Sequence, residues 1–254
     1  MCDAVRKLLS LQLAILLSLA PIYAMQGPIG KSGVLGKAGI FGGTTGGNTF
    51  ALIQKVGTFC NGSTSCSFTV SSTGSNHLLI MAAVAATGGV GSVITGASTG
   101  SSSWVAPVGC QANNASVGTI SCAYAACNST SGVTTINLTL ADTNPYRIVF
   151  YEYSASTVSC SLDGTAQHAS NTGNGTTIAG VTLTGTSGTS DLVNQWIATG
   201  ATVTAVASPY GNLTTSSTVA GYADNENTSS PSTAPVWSST YSANPSLEGA
   251  MGFK

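Results

Sequence analysis

The most strand-like stretch of the chain is PYRIVFYEYSAS, residues Pro145 to Ser156. Successive side chains of an extended strand point to opposite faces, so Ile148 and Phe150 share one face with Glu152, and the alternate aliphatic and aromatic residues share the other. Both faces are largely apolar, which predicts a central strand covered on both sides in a β-sandwich. Glu152 stands in an apolar row and therefore needs a hydrogen-bonding partner or a proton.

The rest of the chain after residue 47 is a series of short apolar or alternating runs separated by Gly, Pro, Asn and Ser. Residues 77–86 form a second, almost wholly apolar strand, and residues 50–57 and 66–71 flank the tight loop CNGSTSC as in a hairpin. Only DLVNQWIA, residues 191–198, has helical spacing, but it is short and rich in β-formers, so we predict a strand there. The remaining strands are predicted at residues 92–97, 103–106, 118–125, 133–141, 176–184, 202–207, 218–223, 234–241 and 247–253.

This number of strands is too high for one flat sheet, because strongly twisted open sheets curl or split into two packed sheets. We therefore predict an all-β fold, a two-sheet antiparallel β-sandwich of jelly-roll type. Sandwiches of 200 residues or more are common as single domains. Residues 48–254 are accordingly assigned to a single β-sandwich domain.

The N-terminus has the pattern of a secretory signal peptide. Arg6 and Lys7 precede an apolar run from Leu8 to Ala20, and Ala24 provides a small residue at a cleavage site. We assign residues 1–24 to the signal peptide. The apolar run is shorter than the about 20 residues that a transmembrane helix needs, so we expect no membrane span after signal cleavage.

Glycine recurs at every third position in the next segment, GPIGKSGVLGKAGIFGG. A collagen triple helix needs this spacing, but it also needs many triplets and abundant proline, and Pro28 is the only proline here. We assign residues 25–47 to a Gly-rich tether. It is either a flexible or extended spacer or a segment that mediates self-association through apolar side chains. Those side chains are Val34, Leu35, Ile40 and Phe41.

Composition narrows the classes of partner. Charged residues are 6% of the chain, where about 25% is usual. The formal net charge is −1, which gives no electrostatic attraction toward phosphates or anionic lipid, so we expect no nucleic-acid partner. The sequence also contains no phosphate-cradling Gly motif followed by a helix, and no cofactor is predicted.

Several short sequence segments follow one another in this order: HLLIMAAVA, SSSWVAP, IVFYEYS, LDGTAQ, DLV and a closing strand that ends GFK. In this order they resemble a group of secreted bacterial β-sandwich domains of jelly-roll or lectin-like shape, which are found in surface and extracellular proteins. The resemblance covers roughly residues 50–254. It implies a fold and an extracellular location, but no activity, because the function of the group is uncharacterised.

Seven cysteines are present, and removal of the signal peptide leaves six, which in an exported protein predicts three disulfides. One pair brackets a five-residue loop and would close the predicted hairpin. A meander of the strands at 118–125, 133–141 and 147–154 would bring together the cysteines that follow its first and third strands, and two cysteines then remain. We predict the disulfides Cys60–Cys66, Cys110–Cys122 and Cys127–Cys160. With two histidines in the chain and no C-x-x-C motif, we predict no zinc site.

The sequence offers few groups for catalysis. A glycoside hydrolase needs two facing carboxylates, and the best candidate pair is Glu152 with Asp163 or Asp191. A serine hydrolase is disfavoured because no G-x-S-x-G motif occurs and neither His77 nor His168 has an evident orienting acid. A buried strand glutamate bonded to a neighbour is the commoner situation, so we predict no catalytic residue.

Carbohydrate binding is a more serious alternative, since β-sandwich lectins stack sugar rings on exposed aromatic side chains. Five aromatic residues outside the central strand are candidate glycan contacts, although each is also a candidate for the core. They are Trp104, Trp196, Trp237, Tyr210 and Tyr241. The segment ADNENTSS, residues 223–230, clusters oxygen ligands, and a Ca²⁺ site would use Asp224, Asn225 and Glu226. It has neither a Gly-pinned loop nor a distant bidentate acid, so no metal site is predicted.

Three functions from different classes are consistent with these patterns. The low charge and the Gly-period segment favour a secreted, non-catalytic structural or assembly protein of the cell exterior, located outside the cell or at its surface. The alternatives are a carbohydrate-binding module, with an extracellular glycan as its partner, and a glycoside hydrolase.

Overall fold

The computed structural model describes residues 48–85, 94–98, 102–171, 175–187, 191–216, 220–243 and 245–254, all of which belong to one compact unit. The predicted signal peptide and Gly-rich tether, residues 1–47, lie outside the described residues. No helix among the described residues is long and apolar enough to cross a membrane. The strands are β1 Phe50–Cys60, β2 Ser65–Thr69, β3 Leu78–Ala85, β4 Ile94–Ser98, β5 Ala112–Asn114, β6 Gly118–Ala125, β7 Thr135–Leu140, β8 Tyr146–Ala155, β9 Gln167–Asn171, β10 Gly175–Ala179, β11 Asp191–Thr199, β12 Val203–Val206, β13 Gly211–Ser216, β14 Ala220–Thr228, β15 Val236–Ala243 and β16 Ser246–Phe253, with one 3-10 turn at Val108–Cys110.

The strands pair in antiparallel fashion into four sheets. Sheet I has the strand order β2-β7-β4 and sheet II the order β1-β8-β3-β6-β5. Sheet III has the order β13-β14-β11-β16-β9 and sheet IV the order β10-β15-β12. The predicted all-β, antiparallel sandwich of jelly-roll type is confirmed, and the chain builds such a sandwich twice. Sheets I and II form the first sandwich, and sheets III and IV form the second.

The two sandwiches share one topology. When the strands of each half are numbered from one to eight, both halves have the order 1-8-3-6-5 in the large sheet and 2-7-4 in the small sheet. The register agrees as well, because Leu78 of β3 lies opposite Tyr153 of β8, and Leu192 of β11 lies opposite Phe253 of β16. A two-sheet, eight-stranded arrangement of this kind is a jelly roll. The described chain is therefore a tandem repeat of one jelly-roll pattern.

The four sheets stack in the order I, II, III, IV around three apolar layers. The middle layer joins the two five-stranded sheets and includes Ile80 and Tyr151 from sheet II and Trp196 and Met251 from sheet III. The outer layers lie between sheets I and II and between sheets III and IV. Strands of sheets II and III are therefore covered on both faces, which explains why they have continuous apolar runs where alternation would otherwise be expected.

The central strand predicted at residues 145–156 is β8, and its position explains its composition. It pairs with β1 on one side and β3 on the other. Val149, Tyr151 and Tyr153 face the middle layer, while Ile148 and Phe150 face the layer between sheets I and II. The strand predicted at 191–198 is likewise correct, because β11 is the central strand of sheet III.

Other predictions for single elements are wrong. Residues 50–57 and 66–71 do not form a hairpin, because β1 pairs with β8 and β2 pairs with β7 in another sheet. The strand predicted at 103–106 is only a single bridge between Val105 and Tyr124. The short polar strands β5, β9 and β13 were not predicted, since they contain few of the β-branched and aromatic residues that mark strands.

Three disulfides cross-link the first sandwich, and their pairs are those that the sequence predicts. The Cα–Cα distances are 5.9 Å for Cys60–Cys66, 5.9 Å for Cys110–Cys122 and 5.4 Å for Cys127–Cys160. The first of them joins β1 of sheet II to β2 of sheet I instead of closing a hairpin. No cysteine follows residue 160, so the second sandwich has none. Such cross-links fit a protein of an oxidising, extracellular compartment.

Candidate functional site

The carboxylate of Glu152 is fully buried in β8 and is held by three donors. Its Oε1 atom accepts a hydrogen bond from the Gly74 amide at 2.7 Å and lies 2.6 Å from Nδ1 of His77. Its Oε2 atom accepts a hydrogen bond from the side-chain amide of Gln54. The same carboxamide of Gln54 pairs with the backbone N–H and C=O of Ser71. This group, the Glu152 cluster, therefore ties β1 and β8 to the segment between β2 and β3.

The Glu152 cluster corrects one expectation about the histidines. His77 does have an orienting acid, because Glu152 fixes its Nδ1 atom, and such a pair is the arrangement that positions a general base. The hydroxyl of Ser129 donates to the Gly74 carbonyl at 2.6 Å and accepts from the His77 backbone N–H at 2.7 Å, so it contacts the backbone of this segment. A Cβ atom at position 74 would lie 2.1 Å from Cε1 of His77, so glycine leaves room for the ring. These contacts fit a structural cross-link.

A second polar group, the seam cluster, joins the two sandwiches near β1, β8, β13 and β14. The Tyr153 hydroxyl donates to Asp224 at 2.5 Å, and the side-chain amide of Asn194 donates to Tyr153 at 2.9 Å. The side-chain amide of Asn212 donates to Asp224 at 2.9 Å and to Glu226 at 3.2 Å. Both of these hydrogen bonds of Tyr153, to Asp224 and from Asn194, join the first sandwich to the second.

Lys55 closes the solvent side of the seam cluster. Its ammonium group donates to the backbone carbonyl oxygens of Asn212 at 2.7 Å and Leu213 at 3.3 Å. Burial raises the pKa of Asp224, although Tyr153, Asn212 and Lys55 partly oppose the shift. Burial and the nearby charge of Asp224 raise the pKa of the Glu226 carboxyl as well. Because Asp224 is 1% exposed, its carboxylate serves to bind its neighbours and is not open to a substrate.

Asp163 and Asp191, named above as candidate partners of Glu152, lie together elsewhere. Asp163 accepts hydrogen bonds from the backbone N–H and hydroxyl of Ser187 at 2.6 and 3.1 Å, and the Lys254 ammonium lies 3.0 Å from its Oδ1 atom. Burial opposes ionisation of Asp163, but hydrogen bonds from Ser187, Lys254 and Asp191 outweigh it and lower its pKa. Glu152 instead bonds to Gln54 and lies beside His77. The structure therefore pairs the two aspartates with each other and neither with Glu152.

Glu248 is the least satisfied acid among the described residues. It lies in β16, opposite Ile197 of β11 and Ala169 of β9, and is 0% exposed. Within the described part of the chain, neither carboxylate oxygen meets a donor at hydrogen-bonding geometry. Burial raises its pKa to about 7, and the Ser246 side chain and the Glu248 backbone only partly oppose the shift. Glu248 is therefore largely protonated in the folded protein below neutral pH.

The five candidate glycan-contacting aromatics occupy different environments. Trp196, Trp237 and Tyr210 are buried, with exposed fractions of 1%, 0% and 5%, so their rings contribute to the apolar layers. Trp196 packs over Gly249, where a Cβ atom would lie 2.4 Å from the indole ring. The side chain of Tyr241 lies outside the described part of the chain. Only Trp104 is both half-buried and placed at a surface concavity.

Two concavities on the described surface lie beside candidate residues. The first, of about 200 Å³, is lined by Trp104, Thr95, Ala97 and Val105 beside β4. The second, of about 590 Å³, is a shallow groove between β9 and residues 180–184. His168 lines that groove, and its Nδ1 atom lies 2.9 Å from the Gly109 carbonyl oxygen. The first concavity carries an indole ring, whereas the second is lined by small and polar residues.

The segment considered for Ca²⁺ has a different structure from the predicted loop. Asp224, Asn225 and Glu226 lie inside strand β14, so successive side chains alternate between faces. Asn212 contacts Asp224 and Glu226 together, while Asn225 points to the other face. Among the described residues, no group of three or more His, Cys, Asp or Glu side chains could hold a metal ion.

Sequence reasoning found Glu152 but missed most of its surroundings. The partners Gln54 and His77 are 98 and 75 residues away, and nothing in their local pattern indicates that they meet. The seam cluster was missed because Asp224 and Tyr153 belong to different sandwiches.

Comparison of the chain with models of protein families, with curated proteins and with solved structures finds no match. The resemblance to secreted bacterial β-sandwich domains stays a prediction.

Proposed function

We propose that the protein is a secreted, non-catalytic structural or assembly protein of the cell exterior. The observation that carries this proposal is the use of the buried acids. Glu152 links β1, β8 and the segment before β3, and Asp224 links the first sandwich to the second through Tyr153. The carboxylates that could act in catalysis instead form hydrogen bonds that hold strands together, as a structural subunit requires.

The cross-linked tandem architecture also supports this role. Three disulfides tie the first sandwich, and the middle apolar layer joins it to the second along two five-stranded sheets. A compact block of four sheets with a net charge of −1 suits close packing of many copies, because like charges do not drive the copies apart.

Electron microscopy of the purified protein tests this proposal. We expect filaments, sheets or closed particles built from repeated copies at physiological salt. A parallel screen for hydrolysis of polysaccharides should show no turnover. Particles that remain dispersed at every concentration, or a glycan-cleaving activity that disappears in Glu152→Gln, would contradict the structural role.

A carbohydrate-binding module is the second candidate, favoured by the concavity at Trp104. An indole ring beside threonine hydroxyl and backbone groups is the combination on which a sugar ring can stack and be oriented. Trp104 and Thr95 both line this concavity. The neighbouring side chains, Ala97, Val105 and Ala106, are small enough to leave the site open.

A glycan array followed by titration calorimetry tests the second candidate. Trp104→Ala should weaken binding of any glycan found on the array about tenfold, which corresponds to about 1.4 kcal/mol of lost stacking. Val158→Ala is the matched control, because Val158 is 75% exposed and outside the concavity. An unchanged dissociation constant in Trp104→Ala would exclude this concavity as the glycan site.

A further inference from the structure

β1 is the longest edge strand of the two five-stranded sheets. β1 has eleven residues and ends the strand order of sheet II, and no described strand pairs with its outer side. An edge strand of this length presents backbone N–H and C=O groups to any further strand. β5, at the opposite end of sheet II, has only three residues. The long free edge therefore lies on one side of the molecule.

The first part of this edge is already occupied by side chains of β14. The Asn227 carboxamide accepts from the Phe50 backbone N–H at 2.7 Å and donates to the Phe50 carbonyl at 2.9 Å. Glu226 forms a hydrogen bond with the backbone of Leu52. The stretch after Leu52, residues 53–60, is the part that remains for a partner.

Two large apolar side chains stand exposed on this stretch. Ile53 is 52% exposed and Phe59 is 54% exposed. Soluble proteins commonly protect an edge strand with an outward-pointing lysine. Lys55 is the lysine at this edge, but its ammonium group is turned toward β13 and bound to the carbonyls of Asn212 and Leu213. The charge of Lys55 therefore does not protect the edge of β1 against pairing with another strand.

Resting on the proposed function, we propose that β1 pairs in antiparallel fashion with β1 of a second copy of this chain. A two-fold axis that sets Val56 opposite the same residue of the second copy brings Ile53 of each copy opposite Phe59 of the other, because both positions are three residues from Val56. The edge is therefore self-complementary, as a two-fold interface requires. The pairing would join the two copies of sheet II into one continuous ten-stranded sheet.

The same register places the remaining residues compatibly. Lys55 of each copy falls opposite Gly57 of the other, and no atom lies within 4 Å of a Cβ built on Gly57. Glycine there leaves space for the aliphatic part of the lysine side chain. The net charge of −1 per chain adds almost no long-range repulsion between copies.

Sedimentation velocity on the full chain over a range of concentrations tests the pairing. The parent should show a monomer–dimer equilibrium, and the double variant Ile53→Lys/Phe59→Lys should raise the dissociation constant at least about tenfold. The matched control is Val108→Lys/Val158→Lys, since these valines are 80% and 75% exposed away from β1. Equal dimerisation of the parent and the double variant would overturn the proposed interface.

Cross-linking provides an independent measurement. In the variant Ile53→Cys/Phe59→Cys, oxidation should produce a covalent dimer whose disulfides join position 53 of one copy to position 59 of the other, as identified by peptide mass spectrometry. The two positions of one copy are about 20 Å apart along the strand, so they cannot bridge within it. A covalent dimer that links 53 to 53 and 59 to 59 would overturn the antiparallel register.

The outcomes separate this interface from the proposed function. Assemblies in electron micrographs that survive the lysine substitutions would overturn the β1 interface and leave the structural role standing. Dimers that depend on Ile53 and Phe59 but never grow into larger assemblies would support the interface and contradict the structural role. Dimers that persist in the lysine variant and are lost on deletion of residues 25–47 would assign association to the Gly-rich tether and overturn the interface.

Discussion

Glu152→Leu should lower the free energy of unfolding by about 3–5 kcal/mol, the range found when one partner of a buried hydrogen-bonded charge is removed. The substitution leaves the Gly74 amide, the Gln54 carboxamide and the His77 ring without the buried carboxylate that accepts from them. Urea denaturation with the disulfides intact, followed by circular dichroism, measures the change.

Glu152→Gln is the matched control, because it keeps the length and one accepting oxygen of the side chain. Its cost should be about 1–2 kcal/mol. A cycle with His77→Leu adds a second check: the double variant Glu152→Leu/His77→Leu should be less destabilised than the sum of the single variants, since neither group is then left unpaired. If Glu152→Leu unfolds at the parent's urea midpoint, the cluster is not a structural cross-link.

The sandwich class was predictable because the apolar runs are unambiguous. Strands such as β3 and β8 have apolar residues on both faces, and only a covered strand in a β protein accounts for them. The repetition of the jelly roll was not predictable, because corresponding strands share position and not sequence. β3 reads LLIMAAVA, whereas β11 in the same place of the second sandwich reads LVNQWIAT. The topology of a sheet depends on which strands pair, and local sequence patterns do not specify those pairs.

The disulfides show how a prediction can reach the observed pairs by a partly wrong route. The meander was expected to place β7 between β6 and β8, but β3 lies between them, and β7 belongs to sheet I. Because β6 and β8 are both antiparallel to β3, they still run parallel to each other. The cysteines that follow them, Cys127 and Cys160, therefore meet as if the meander existed.

The candidate sites were harder to predict than the fold, because they depend on contacts between distant strands. The single burial argument that worked was the one for Glu152, whose apolar neighbours in sequence already required a partner. Glu248 has the neighbours Gly and Leu in a short segment that did not indicate burial on both faces. Its environment follows from the stacking of sheet III between sheets II and IV, which is a property of the whole chain.

Glu248 should make the stability of the protein fall as pH rises through weakly acidic values. Its pKa is raised to about 7 in the folded state, whereas an unfolded glutamate titrates near about 4.3. Between these values the folded state keeps a proton that the unfolded state has lost, so the free energy of unfolding decreases with increasing pH. The total loss is roughly 2–4 kcal/mol by pH 8, after which this contribution no longer changes.

Glu248→Gln removes the titrating group while keeping the shape of the side chain, so its stability advantage over the parent should grow from about pH 4 to about pH 8 and reach roughly 2–4 kcal/mol. Urea midpoints at several pH values measure the difference. Asp142→Asn is the control, because the pKa of Asp142 is lowered through its bonds to Tyr146 and Asn144, and the stability it contributes is lost only as pH falls below its unfolded pKa.

The second sandwich contains no disulfide to restrain it, so ionisation of Glu248 should loosen this half first. Hydrogen exchange at pH 8 should accordingly accelerate in β16 and its neighbours β11 and β9 before it does in β3 and β8. Parallel pH profiles for the parent and Glu248→Gln between pH 5 and pH 8 would show that the carboxyl is solvated and not buried.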